Sequence, residues 1–284
     1  MVIPGPALLF CPADRPDRFA KAASRADGVI LDLEDAVAPG ARPAAREALV
    51  AAASHGGADG GVLAPERTIV RVSPPGTPDH DLDLAAVRAT PLRTVMVAKA
   101  DASLPVPAGL DVVALCETAA GVADAAALAR RDDVVALMWG AEDLVASLGG
   151  TASRFGPDER TPGAYRDVAR QARATVLLAA GAAGKAAIDA VHLDIDDLEG
   201  LRAEAVDAAA SGFAATACIH PRHVAVIRDA YAPSDREVAR AEAILAAAAD
   251  HEAGGGTGVF TVEGVMVDEP VLRHARAVLA RAGA

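Results

Sequence analysis

The chain has 284 residues, enough for one large α/β domain or two small ones. Hydrophobic residues make up 52% of it, aromatics only 3%, and the net charge is -12 with no lysine-rich or arginine-rich run. That balance argues for an ample core and against nucleic acid as a partner, since both the basic footprint and the base-stacking rings are missing.

Ala7 to Cys11 is an apolar run ended by Pro12 and reads as a first strand. Asp14 stands where it would cap a helix with Pro16 in its early turn. Val29 to Leu33 is the second strand, running into the acidic cluster Asp32, Glu34 and Asp35. A helix follows over Pro43 to Ala53. Gly56 to Gly61 has no G-x-G-x-x-G spacing, so it reads as a loop and no phosphate cradle. Thr68 to Val72 is the third strand, with Arg71 inside it. Val95 to Ala98 is the fourth and ends at Lys99. Val112 to Glu117 is the fifth, followed by Thr118-Ala119-Ala120-Gly121. Val134 to Met138 is the sixth, broken by Trp139 and Gly140, with Glu142 and Asp143 where a helix begins. A polar connection, Gly149 to Thr161, precedes a helix from Pro162 to about Gly181. Ile188 to Ile195 is the seventh strand and Ala215 to Ile219 the eighth, ending at His220-Pro221.

Eight strands alternating with helices imply right-handed crossovers and a parallel sheet. Count and length fit a (β/α)8 TIM barrel, although periodicity alone leaves an open doubly wound sheet in play. Glu34, Arg71, Lys99, Glu117, Asp143 and His220 all lie in or just past strand ends. A barrel gathers such ends around one mouth, and an open sheet spreads them along an edge. Glu117 and Asp143 are one strand–helix unit apart, so their strands are candidates to be neighbours. Two hard oxygen ligands there would suit Mg²⁺, which takes one or two carboxylates and completes its shell with water and substrate.

The chain continues beyond the eighth strand. Ser234 caps a helix to about Asp250, Gly254 to Gly258 is a link, Val259 to Val262 and Val265 to Val267 are short strands, and a last helix starts at Pro270. This divides the chain into a barrel over 1–232 and an extension over 233–284, either a lid or an arm onto a neighbouring subunit. Cys11, Cys116 and Cys218 fall inside strands and form no C-x-x-C pair, so zinc and redox motifs are absent. Free thiols, with neither a basic leader nor a long apolar span, lead us to expect a cytoplasmic chain without membrane attachment.

LDLEDAV at Leu31, VRV around Arg71, ETAAGV at Glu117 and GAEDL at Gly140 follow one another in order. So do AIDAVHLDIDDLEGLRAEA, IHP around His220 and VEGVMVDEPVL near the C-terminus. Over nearly its whole length the chain resembles the citrate lyase β-subunit-like family of metal-dependent C–C lyases acting on acyl-CoA. It departs from that pattern at Ser73, where the family often has Asn, and at Cys116, where an aliphatic residue is more usual.

The resemblance implies a barrel, Mg²⁺ (or Mn²⁺) as cofactor, and a homotrimer or a hexamer of trimers. It implies cleavage of a short 3-hydroxyacyl-CoA such as citramalyl-CoA, malyl-CoA or citryl-CoA into acetyl-CoA and a keto acid. The alternatives are a citrate lyase complex subunit working on a carrier-bound thioester, or a malyl-CoA-type thioesterase. Residue by residue, it implies Glu117 and Asp143 as metal ligands and Arg71 as the fork for a substrate carboxylate. Asp268, delivered from a neighbouring subunit, would be the acid, and Arg15 and Lys21 would face the CoA phosphates. Each role has a plainer rival. Glu117 and Asp143 are placed where carboxylates cap helices. Glu34 and Asp35 either orient metal-bound water or pair with Arg71. Lys99 either approaches the metal or satisfies acids. His55, His80, His223, His251 and His274 read as packing residues, as does Trp139, and His220 does too unless CoA contacts it.

Overall fold

A computed structural model describes residues 3–54, 62–255, 258–262 and 264–283. Eight strands come first: Ala7–Pro12 (β1), Gly28–Asp32 (β2), Thr68–Val72 (β3), Thr94–Val97 (β4), Asp111–Cys116 (β5), Val134–Trp139 (β6), Ala186–Asp189 (β7) and Ala215–Cys218 (β8). Each pairs in parallel with the next, and β8 pairs with β1, closing the sheet. The fold is the expected (β/α)8 barrel. The helices between and after the strands are Phe19–Arg25 (α1), Arg42–Ser54 (α2), Pro78–Arg88 (α3), Ala119–Ala129 (α4), Ala141–Ser147 (α5), Asp167–Ala182 (α6), Leu198–Ser211 (α7) and Pro221–Tyr231 (α8).

Every strand gives at least one residue to a single buried cluster, among them Leu8, Ile30, Ile69, Met96, Leu115 and Met138. That cluster fills the barrel, so the interior is packed core. Burial on both faces explains why the strands read as continuous apolar runs without alternation. All three cysteines are free and buried, and burial pushes their thiols up to about 11 for Cys11 and about 12 for Cys116 and Cys218. None is a ready thiolate at neutral pH. Among the described residues no helix is long and apolar enough to cross a membrane.

Three local expectations need correction. Asp14 does not cap the first helix: a 3-10 turn, Pro16–Arg18, comes first, and α1 starts after Arg18 with no side-chain cap. The seventh strand stops at Asp189 and does not reach Ile195. The Asp189 carboxylate accepts from its own neighbour, the Ala190 N–H, at 3.1 Å, and Asp194 then turns the chain by accepting from the N–H groups of Asp196 and Asp197. The helix expected from Pro162 begins at Asp167, because residues 153–166 fold back on themselves. There the Phe155 and Gly163 N–H groups donate across the loop to the Ala164 and Phe155 carbonyls, both at 2.9 Å. The glycine-rich 56–61 stretch lies outside the described residues, as do 256 and 257 of the expected glycine link.

The chain divides into two compact units, Met1–Ile227 and Arg228–Ala284. In the second unit, Ser234 and Glu237 form a reciprocal capping box at the start of Asp235–Ala253 (α9). An antiparallel hairpin follows, Phe260–Val262 (β9) with Val265–Val267 (β10), then Glu269–Ala282 (α10). Ala241, Ile244, Val267 and Ala275 are its buried apolar centre.

Candidate active site

Parallel pairing puts all eight carboxyl ends on one side of the barrel, so residues just past each strand converge there. β5 and β6 are neighbours, with Cys116 opposite Trp139. Glu117 and Asp143, one residue and four residues past those strand ends, therefore stand side by side. Both line a cavity of about 260 Å³ at the mouth, together with Asp32, Arg71, Phe10 and Ile219.

Two glycines make the placement of Glu117 possible. A Cβ on Gly121 would lie 2.4 Å from the Ala100 carbonyl oxygen, so only glycine lets α4 begin this close to the β4–β5 connection. A Cβ on Gly140 would lie 3.0 Å from the Glu117 Oε2, so its absence leaves that oxygen its space. Neither carboxylate is the cap of its helix. Thr118 caps α4 through the Gly121 N–H, and Gly140 holds the cap position of α5 without a side-chain bond.

Arg71 lies within β3, opposite Asp32 on β2. Its Nε and Nη2 bind Asp32 in a bidentate pair at 2.8 and 2.5 Å, while its Nη1 lies 3.2 Å from Glu34 Oε2. Of the two readings for Glu34, pairing with Arg71 is what the geometry shows. Asp32 thus takes Nε and Nη2 while Nη1 faces Glu34, and the guanidinium so held lines the cavity. Burial opposes the charge of Arg71, but the Asp32 bonds and the fields of Asp32, Glu34 and Glu117 outweigh it and hold the guanidinium firmly protonated.

Lys99 joins the same cluster. Its Nζ is 2.7 Å from Glu34 Oε1, 3.5 Å from Asp143 Oδ1, 3.7 Å from Asp35 Oδ2 and 4.0 Å from Glu117 Oε1. Glu117 is 3% exposed, and burial first, then the Asp143 charge, pushes its carboxyl up to about 8 against the pull of Arg71 and Lys99. Burial raises the Glu34 carboxyl too, and its Oε2, although near Arg71, lacks a hydrogen bond. These are acids under electrostatic strain that an added cation would relieve. Among the described residues no three His, Cys, Asp or Glu side chains form a ready metal cage. Two carboxylates with room beside them still match what Mg²⁺ asks of a protein.

A second cavity, about 440 Å³, shares Phe10 and Ile219 with the first. Its basic lining comes from Arg18 in the Pro16–Arg18 turn and Lys21 and Arg25 on α1, with His220 just before α8. Lys21 is where the resemblance implied a phosphate contact. Arg15 is instead exposed and bound to Asp17, with Nε to Oδ1 at 3.1 Å, and does not line this cavity. Arg18 and Arg25 escaped the sequence reading, although their spacing from Lys21, three before and four after, puts all three on one helical face. His220, which lines this cavity, accepts from the Arg222 N–H at 3.2 Å through Nδ1. Asp268 caps α10, accepting from the Val271 N–H at 3.2 Å in the second unit.

Other polar groups are spoken for. His80 and His223 bind backbone carbonyls, of Ser73 at 2.7 Å and of Ile195 at 3.2 Å. Trp139 is fully buried and donates from Nε1 to Asp189 Oδ1 at 2.6 Å, while Arg173 forks onto the same carboxylate. Glu142 accepts from Ser153. His192, a buried residue that the sequence reading passed over, donates from Nδ1 to Glu204 Oε2 at 2.8 Å. Arg154, from the 153–166 loop, grips the same Glu204. Burial would raise the Glu204 carboxyl, but His192 and Arg154 hold it below the usual carboxylate range. A lowered folded value means the stabilisation is present above about pH 4.5 and is lost as pH falls through the folded value. Glu204→Gln is therefore expected to cost about 1.5–3 kcal/mol at pH 7. In melts taken at successively lower pH, the gap from the wild type should close; a gap independent of pH would show that the Glu204 charge does not pin the loop.

Residues 7–221 match the HpcH/HpaI aldolase/citrate lyase family. The chain is 53% identical over 281 residues to a citrate lyase subunit beta-like protein of Mycobacterium tuberculosis, covering 98% of this chain and 96% of that one. A crystal structure of CitE from Mycobacterium tuberculosis, in complex with magnesium, acetoacetate and coenzyme A, superposes with a TM-score of 0.87 at 53% identity, covering 99% of this chain and 98% of that one. A (3S)-malyl-CoA thioesterase of Cereibacter sphaeroides is 30% identical over 98% of this chain and 94% of its own length. The human mitochondrial citramalyl-CoA lyase is 29% identical over 96% of this chain and 84% of its own length.

Proposed function

This chain belongs to the HpcH/HpaI aldolase/citrate lyase family, and from that premise we propose that it is a Mg²⁺-dependent carbon–carbon lyase acting on a short 3-hydroxyacyl-CoA. The observation that carries this reading is the pair Glu117 and Asp143 at the ends of neighbouring strands, beside Arg71 in one cavity. A basic second cavity shares two walls with it. That combination suits a ligand with a reactive, carboxylated head and a long phosphorylated handle.

Glu117 and Asp143 would hold Mg²⁺. The ion supplies a Lewis acid that lowers the pKa of the substrate's 3-hydroxyl as that group becomes a carbonyl. The remaining work falls to side chains of the protein. Arg71 holds the carboxylate of the head and fixes its approach. Arg18, Lys21 and Arg25 neutralise the phosphates of the handle. As the C2–C3 bond breaks the hydroxyl gives up its proton and the bond's electron pair passes to a thioester enolate, which gains one proton at carbon from a placed acid, so the cleavage is proton-neutral overall. Asp268, carried by the second unit of a neighbouring subunit in a trimer, takes that part. Two variants, Asp268→Ala and Asp143→Ala, should each be inactive alone and partly recover activity when mixed under subunit exchange. No recovery, with exchange demonstrated by mass, would rule out sharing of the acid.

The likeness to a thioesterase supports a second reading on the same residues, in which water cleaves the thioester. Incubating the protein with Mg²⁺ and citramalyl-CoA, malyl-CoA or citryl-CoA separates the two. A lyase releases a keto acid and acetyl-CoA with the thioester intact; a thioesterase releases free CoA thiol and a hydroxy acid. Turnover of none of the three in either sense would refute both.

A further inference from the structure

Lys99 is the only non-glycine at positive φ among the described residues, at 52°. A side chain with a Cβ is strained there, and such strain persists where the surroundings over-determine it. Here the conformation serves two contacts at once. The Lys99 N–H donates to Glu117 Oε1 at 3.1 Å, and its side chain turns back so that Nζ reaches Glu34 at 2.7 Å and Asp143 at 3.5 Å. The ammonium thus meets carboxylates that follow three different strands, β2, β5 and β6.

Glu34 and Glu117 are each 3% exposed. Buried acids this close repel unless a cation stands among them. Arg71 is one such cation and Lys99, which also reaches Asp143, is the other in the protein as folded, and a divalent ion held by Glu117 and Asp143 would enter the same field. Two cations cannot share it without mutual repulsion. We propose that Lys99 is the built-in counter-ion of the metal site, holding the carboxylates together without metal and giving up Asp143 while keeping its Glu34 bond when Mg²⁺ binds. The inference rests on the reading of Glu117 and Asp143 as the Mg²⁺ ligands. It makes Lys99 a positioning residue that weakens metal affinity in exchange for a site that stays assembled while metal comes and goes.

The test is calorimetric titration of Mg²⁺ into the full chain, with melts in chelator alongside. Lys99→Met is expected to bind Mg²⁺ about tenfold tighter or more, since a repelling charge is removed. It should also melt below the wild type in chelator and gain more from added Mg²⁺. A merely structural lysine would lower both stability and affinity, and a lysine that grips substrate would raise KM and leave Mg²⁺ affinity unchanged; either result overturns the proposal. Absence of Mg²⁺ binding in the wild type would overturn the metal reading itself, whereas equal affinity in wild type and variant would overturn the displacement alone. Should Lys99→Met fail to fold, the double variant Lys99→Met/Glu34→Gln removes the stranded buried charge. That protein must then bind Mg²⁺ more tightly than Glu34→Gln alone.

Discussion

Glu117→Gln is expected to lower turnover by about three orders of magnitude or more, the loss that follows when several kcal/mol of metal-dependent charge stabilisation go. Glutamine keeps an oxygen to accept the Lys99 N–H, bonded in the wild type at 3.1 Å, so the local fold has no reason to change. In chelator the variant should melt at or above the wild type, because the burial cost and the repulsion from Asp143 that raise the Glu117 carboxyl both go. A residue kept for stability predicts the opposite pattern. Wild-type turnover by Glu117→Gln in excess chelator would remove both the metal and its ligand from the account.

Arg71→Lys is expected to reduce kcat/KM on citramalyl-CoA by about a hundredfold, corresponding to the loss of a bidentate charged contact of about 2–3 kcal/mol. An ammonium keeps the charge but lacks the planar fork of donors that Asp32 and a ligand carboxylate would both use. Because Asp32 is 1% exposed and takes two of the Arg71 bonds, part of the effect will be a loosened mouth. Turnover of 3-hydroxybutyryl-CoA, which lacks the distal carboxylate, measures that part separately. If the wild type cleaves 3-hydroxybutyryl-CoA better than citramalyl-CoA, the proposed clamp has no carboxylate to hold.

The barrel was legible because a strand buried on both faces must be apolar throughout, and the polar residues that interrupt these runs fall at their ends. That logic reached Glu117, Asp143, Arg71 and Lys99, and the structure sets the first three around one cavity with the Lys99 ammonium within 4.0 Å of Glu117 and Asp143. It could not say how Arg71 divides its donors, since Asp32, Glu34 and Asp35 look alike in sequence and only the β2–β3 register selects Asp32. Nor could it end the seventh strand correctly: residues 188–195 alternate well enough for a strand, and the stop depends on Asp189 being drawn to Trp139 and Arg173 from distant segments. Lys99 carries no mark of its left-handed backbone, because lysine is not a residue that announces one. The basic face of Arg18, Lys21 and Arg25 was within reach of spacing alone, but the reading placed its cap at Asp14 and so misplaced the start of the helix.

Trp139 gives the molecule a property that none of its charged neighbours does. It is the only tryptophan in the chain, fully buried, immediately before Gly140 and a wall of the mouth cavity. Its indole is held by Asp189 at one side and meets the Tyr165 ring edge-on at 5.2 Å on another. Intrinsic emission excited at the red edge of the tyrosine band therefore originates from one point, within a few residues of Asp143. The protein carries its own optical gauge of the mouth, without labels and without background from a second indole, so events there can be followed in real time on the unmodified chain.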